Sequence, residues 1–136
     1  MNFTDLFEQA QTIAVVGLSP NQWRDSYGVA RYMQRAGYRI VPVNPKYEDI
    51  LGEPCYPDLA SIPEDIRIDI VDVFRRPEHT AGVVAETAAR AERTGERPVI
   101  WTQLGVSSFE AQSVAEQAGL PYVADRCLKV VHAQVA

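Results

Sequence analysis

Short runs that are apolar at consecutive positions alternate along the chain with longer segments whose apolar residues recur every three or four positions. Thr12-Ile13-Ala14-Val15-Val16-Gly17 is apolar on both faces of an extended strand and stops at glycine, the pattern of a buried parallel strand. Tyr38 to Val43, Ile68 to Phe74, Pro98 to Thr102 and Leu120 to Ala124 read as further strands. Between them, Ser26 to Ala36 places Val29, Tyr32, Met33 and Ala36 on one helical face, and Gly37 follows as a left-handed closing residue. Asn2 to Gln11 predicts a short helix with Phe3, Leu6, Phe7 and Ala10 on one face and Asn2 as its cap. Pro77 suits the first position of a helix running to about Arg93. Ser107-x-x-Glu110 has capping-box spacing and opens a helix that ends at Gly119; a short helix follows from Asp125 or Arg126. Asp49 to Glu64 is rich in turn formers (Gly52, Pro54, Pro57, Pro63). Within it Cys55-Tyr56 fits a very short edge strand, and Ser61-x-x-Glu64 predicts a helical turn after Pro63.

This alternation predicts an α/β fold: a doubly wound, Rossmann-like, mostly parallel sheet of five to six strands with helices on both faces. Right-handed crossovers give the strand order 3-2-1-4-5-6, with strand 3 vestigial. The chain has 136 residues and shows no repeat or linker, so residues 1–136 are expected to form a single domain.

Charge narrows the partners. A net charge of −5 argues against nucleic acid and against anionic membrane surfaces, both of which require a basic face. No apolar run approaches the ~20 residues that span a bilayer, and no basic-then-apolar leader opens the chain. Cys55 and Cys127, the only cysteines, provide neither a disulfide framework nor a thiolate metal cage. The expectation is a reduced, cytoplasmic protein without a metal.

In an open α/β sheet, ligands bind beyond the carboxyl ends of the strands where the order reverses. The loops placed there are Gly17 to Tyr27, Asn44 to Lys46, Phe74 to Pro77 and Gln103 to Gly105. They carry Arg24, Lys46, Arg75 and Arg76. An acidic chain with four cations around one point suggests an anionic ligand, and the following helix adds free N–H groups and a positive dipole end. Solvated loop arginines are the alternative. Val15-Val16-Gly17-Leu18-Ser19 begins like a dinucleotide motif, but Ser19 stands where the second glycine of G-x-G-x-x-G belongs, and a lone glycine can also serve only a tight turn. An NAD site usually has an acid after the second strand; this chain has Asn44-Pro45-Lys46, which disfavours NAD and permits NADP or coenzyme A.

The segments Val15-Val16-Gly17-Leu18-Ser19, Ser26-Tyr27, Gly37-Tyr38, Pro42-Val43-Asn44-Pro45, Asp72 to Pro77, Trp101-x-Gln103-Leu104-Gly105 and Asp125-Arg126-Cys127 stand in order. With them the chain, from about Thr12 to His132, resembles the small stand-alone CoA-binding proteins of bacteria and archaea. These are similar to the N-terminal domain of the succinyl-CoA synthetase α subunit. The resemblance implies a coenzyme A nucleotide over the switch point. Gly17, Leu18 and Ser19 would hold phosphate oxygens, near Ser26 and Tyr27, with Arg24 as a further phosphate contact. Lys46, after Asn44 and Pro45, would match the lysine that neutralises the 3′-phosphate. Val73, Phe74 and Arg75 would flank the adenine, and Gln103 and Gly105 would approach the pantetheine arm. Many relatives place Arg or Lys and then Pro before the Ser-Tyr pair; Arg24-Asp25 departs from that pattern.

No catalytic constellation stands out. His79 reads as an exposed residue in a first helical turn and His132 as a surface or interface residue. Cys127 reads either as a buried structural cysteine or as a redox thiol beside the ligand. Trp23 and Tyr27 fit either sheltering of a ligand or packing, and Trp101 fits the core. The sequence therefore favours a module that binds coenzyme A or an acyl-CoA without catalysis of its own. An NADP-dependent oxidoreductase is one alternative; a subunit of an acyl-CoA ligase completed by a partner chain is another. A homo-oligomer is also compatible.

Overall fold

The computed structural model describes residues 1–136. Strands β1 (Thr12–Val16), β2 (Arg39–Val43), β5 (Ile70–Val73), β6 (Val99–Thr102) and β7 (Tyr122–Val123) form one parallel sheet in the order β2-β1-β5-β6-β7. Tyr56 adds a single parallel bridge to Val43 beyond β2. Its N–H reaches the Pro42 carbonyl at 3.0 Å, and its own carbonyl accepts from Asn44 at 2.9 Å. Counting that bridge as the vestigial third strand, the expected order 3-2-1-4-5-6 is present. The reversal falls between β1 and β5, paired in register from Ile13–Ile70 to Val16–Val73.

Alternation along each strand builds two apolar layers. Ile13, Val15, Ile40, Ile70 and Trp101 face α1 (Phe3–Gln9), α2 (Asp25–Arg35) and α5 (Leu128–Val135). Ala14, Val16, Val41, Val71, Val73 and Ile100 face α3 (Pro77–Thr94) and α4 (Phe109–Ala118). Helices thus cover both faces, which is why the strands read as apolar throughout. No helix is long and apolar enough to cross a membrane.

Several local expectations shift. Asp49–Ile50 (β3) and Glu53–Pro54 (β4) form an antiparallel hairpin rather than plain turns. Its turn residues Leu51 and Gly52 both have positive φ, 57° and 75°, the geometry of a tight hairpin turn normally signalled by Asn-Gly. The Ser61–Glu64 capping box is absent. Asp58 instead caps a 3-10 turn at Leu59–Ser61, accepting from the Ser61 N–H at 2.8 Å and hydroxyl at 2.6 Å, while Glu64 pairs with Arg93 at 3.2 Å. The cap of α4 is Ser108, not Ser107: its hydroxyl accepts from Ala111 N–H at 3.0 Å, and Ser107 bonds to the Tyr122 hydroxyl at 2.8 Å. The last strand is short because the chain turns at Asp125, which has a φ of 60°.

The proline-rich segment between β4 and β5 is held by a buried arginine. Arg90 on α3 is 1% exposed. It donates to Glu96 at 2.7 Å and to the carbonyls of Leu59, Ile62, Pro63 and Ile66 at 3.3, 2.6, 3.0 and 2.9 Å. The other Glu96 oxygen accepts from Ile68 N–H at 3.0 Å. A planar guanidinium supplies all of these donors from one side chain, and a lysine does not. Asp72 is the opposite case. It sits on β5 between Val15 and Trp101 in register, fully buried, with neither oxygen hydrogen-bonded. Burial raises its pKa well above the ordinary carboxylate range.

Two outcomes follow in urea unfolding. Arg90→Met strands Glu96 and four carbonyls and is expected to cost about 3–5 kcal/mol, with Arg90→Lys recovering only part of the loss. Asp72→Val removes an unpartnered carboxyl and is expected to stabilise the fold by about 1–3 kcal/mol near neutral pH. The sign follows from linkage: a folded-state pKa above the unfolded one makes native stability fall as pH rises from the unfolded pKa to the folded one. The gain from Asp72→Val therefore shrinks below the ordinary carboxylate range.

Candidate functional site

At the reversal point the end of β1 is bonded on both sides. Gly17 N–H reaches the Val43 carbonyl at 2.9 Å, and Phe74 N–H reaches the Val16 carbonyl at 2.8 Å. Gly17 has a φ of +86°, and a Cβ there would lie 2.0 Å from the Phe74 carbonyl oxygen. Glycine is thus demanded by the neighbouring strand. The same imagined Cβ would lie 3.2 Å from Cδ of Arg75, so the Arg75 stem passes close to the glycine.

Side chains then tie the surrounding loops together. Asn44 donates to the Leu18 carbonyl at 3.0 Å and accepts from Lys46 N–H at 3.0 Å, joining the loop after β1 to the loop after β2. Ser26 Oγ accepts from Ser19 N–H at 3.1 Å. Ser19 Oγ accepts from Asn21 N–H at 3.1 Å, and Asn21 Oδ1 accepts from Trp23 N–H at 3.0 Å. Arg24 occupies the position before α2 and supplies no side-chain cap, so the first turn of that helix opens without one. On the other wall, Asp125 accepts from Gly105 N–H at 2.8 Å, and the Thr80 hydroxyl donates to the Val106 carbonyl at 2.8 Å.

These loops enclose a crevice of about 940 Å³. Gly17, Ser19, Arg24, Ser26, Asn44, Pro45, Lys46, Phe74, Arg75 and Gly105 line it, as does Arg76. The structure does not bring every expected residue there. Leu18 and Val73 are fully buried and lie outside the lining. Tyr27 lies outside the lining, its hydroxyl accepting from Arg31 at 3.5 Å. Gln103 is 6% exposed and outside the lining, and its Oε1 accepts from Leu128 N–H at 3.1 Å at the start of α5. Cys127 immediately precedes α5, half-buried against the apolar layer and outside the lining. Trp23, Asp25, Tyr47, Pro77 and Val106 complete the crevice. Tyr47 carried no signal beyond its place after Lys46. For Trp23 the sequence leaves open sheltering of a ligand or packing, and the structure puts it in the lining, 86% exposed.

The charge lining the crevice is mostly positive. The chain has two ion pairs, Arg90–Glu96 and Arg93–Glu64, and neither involves the crevice. Arg24, Lys46, Arg75 and Arg76 are exposed cations without a carboxylate partner, and Asp25 is the lone acidic residue in the lining. Such an arrangement attracts a polyanion. The titratable groups nearby or in the core are engaged elsewhere. The Cys55 thiol donates to the Asn44 carbonyl at 3.4 Å, and burial pushes its pKa up. His132 shares a 2.9 Å hydrogen bond with the Tyr32 hydroxyl and meets Phe7, Tyr32 and Tyr38 edge-on; burial lowers its pKa. His79 is exposed in the first turn of α3.

Comparison with known proteins places this geometry in a family context. Residues 11–133 match the family model described as a CoA binding domain. The chain is 40% identical over 129 residues to the protein YneT of Bacillus subtilis, covering 95% of this chain and 90% of that protein. It is 26% identical over 132 residues to the ADP-forming acetate–CoA ligase I of Archaeoglobus fulgidus, covering 93% of this chain but only 19% of the ligase. A solved structure from Thermus thermophilus superposes with a TM-score of 0.89 at 35% identity, over 100% of both chains.

The contrast between two crevice glycines checks the packing. Gly17→Ala drives a methyl into the Phe74 carbonyl and is expected to destabilise the fold by at least about 2 kcal/mol. Gly105→Ala, with a φ of +74° but open space for a Cβ, is expected to cost only about 1 kcal/mol. Thermal unfolding of the two variants distinguishes the cases.

Proposed function

The chain belongs to the CoA binding domain family, and on that premise we propose that it binds coenzyme A, free or as an acyl thioester, in the crevice at the sheet's reversal point. We read it as a binding module without catalysis of its own. The observation that carries this reading is the set of four cations, Arg24, Lys46, Arg75 and Arg76, drawn from three loops and left without carboxylate partners. Coenzyme A presents a diphosphate and a 3′-phosphate, so it has the charge to meet them. Ser19 accepts from Asn21 N–H through its Oγ, which leaves its hydroxyl proton free to donate to a phosphate oxygen. The uncapped first turn of α2 adds backbone donors and a positive dipole end. Lys46, with its backbone fixed by Asn44, is the cation assigned to the 3′-phosphate.

A second reading has one specific support. The chain spans about a fifth of the Archaeoglobus ligase it matches. A module of this kind therefore also fits a subunit that delivers coenzyme A to a catalytic partner chain.

Titration calorimetry at low salt with coenzyme A, 3′-dephospho-CoA and NADP tests the proposal. Coenzyme A is expected to bind and the dephospho form to bind more weakly. Lys46→Glu is expected to weaken coenzyme A about 10- to 100-fold, the range of a lost charge-assisted contact, with far less effect on the dephospho form. Binding of NADP alone would replace this reading with the oxidoreductase one. Heat from none of the three ligands would overturn nucleotide binding by the isolated chain.

A further inference from the structure

Trp23 is 86% exposed and Tyr47 is 43% exposed, and both line the cationic crevice. Neither ring pairs with another aromatic ring or lies under a cation. The Trp23 ring is not on a slack segment. Its loop is pinned by Asn21 N–H to Ser19 Oγ at 3.1 Å, Trp23 N–H to Asn21 Oδ1 at 3.0 Å and Arg24 N–H to the Asn21 carbonyl at 3.0 Å. Each ring is also the sequence neighbour of a cation of the site, Trp23 beside Arg24 and Tyr47 beside Lys46. Two exposed aromatic rings and four cations lining one crevice match a flat base joined to phosphates. Phe74, which also lines the crevice, is partly buried against the apolar layer, and Val73 is fully buried outside the lining.

We infer that Trp23, aided by Tyr47, is the stacking surface for the purine base of the nucleotide and so a specificity-determining residue of the site. This rests on the reading of the crevice as a coenzyme A site. It moves the base contact from the end of β5 to the outer lips. It also gives the exposed tryptophan a role that packing does not, since the ring has no packing partner to lose.

The two tryptophans make the test direct. Trp101 is fully buried in β6, so a ligand-induced change in solvent-exposed emission reports Trp23. Coenzyme A and adenosine 3′,5′-bisphosphate are expected to quench or shift that emission as they bind. Trp23→Ala is expected to weaken both ligands about tenfold, the scale of one base–aromatic stack. Trp23→Phe is expected to keep affinity within about threefold, because a flat ring remains, while the emission change disappears. Calorimetric binding of coenzyme A with unchanged emission, or Trp23→Ala binding as tightly as wild type, overturns the stacking role and leaves coenzyme A binding intact. If Trp23→Phe loses as much affinity as Trp23→Ala, an aromatic face is not what the site uses, and the role is again overturned. Absence of any coenzyme A heat from the wild-type protein overturns both readings together.

Discussion

The approach of Gly17 to the Phe74 carbonyl sets the geometry on which the site depends. Parallel strands β1 and β5 end level with one another because Gly17 has no Cβ to hold them apart and adopts a φ of +86°. The chain leaves β1 toward α2 and leaves β5 toward α3 on the opposite face, so a crevice opens at the divergence. The loops after β1, β2 and β5 each deliver a cation to it. An acidic protein can concentrate positive charge in this way because topology, rather than composition, decides which loops meet.

Stability in the rest of the molecule is arranged around that requirement. Arg90 gathers the carbonyls of a proline-rich segment that has too little regular structure to satisfy them itself. Satisfied on all sides, a buried charge of this kind specifies one loop conformation. Asp72 lies two residues before Phe74 on the central strand and has no such partner. No contact in the structure accounts for a carboxyl there, and burial raises its pKa.

The sheet, its order and the crevice loops were legible because they follow from apolar runs and crossover handedness, which are local or topological rules. Pro77 at the start of α3 and Asn2 as a cap were legible for the same reason. What escaped depends on distant partners. Ser107 and Ser108 look equivalent in sequence until the Tyr122 hydroxyl engages one and leaves the other to cap α4. Gln103 sits at the end of a strand, and only the folded chain shows its Oε1 accepting from the start of α5. Arg90 reads as an ordinary polar position on a helix, and only the folded 59–66 segment reveals why it is buried. Tyr47 gave no signal because loop residues carry no periodicity, whereas Trp23 stood out in its loop with sheltering of a ligand and packing both open.

The unpaired cations also bear on how binding and folding are linked. Arg24, Lys46, Arg75 and Arg76 share one crevice without a carboxylate partner, so each raises the electrostatic cost of holding the others there. The polyanion of the proposed reading would relieve that repulsion only in the folded state, because the unfolded chain does not bring the three loops together. Its binding free energy then adds to the stability of the fold in proportion to the logarithm of its concentration over its dissociation constant. Exposure weakens the mutual repulsion through solvent and salt, which lets the free protein tolerate the cluster. The same exposure leaves the cations hydrated and ready to exchange water and counterions for phosphate. Arg90, already enclosed by five partners, has no such freedom, and that difference separates the charge used to build this fold from the charge left available for a ligand.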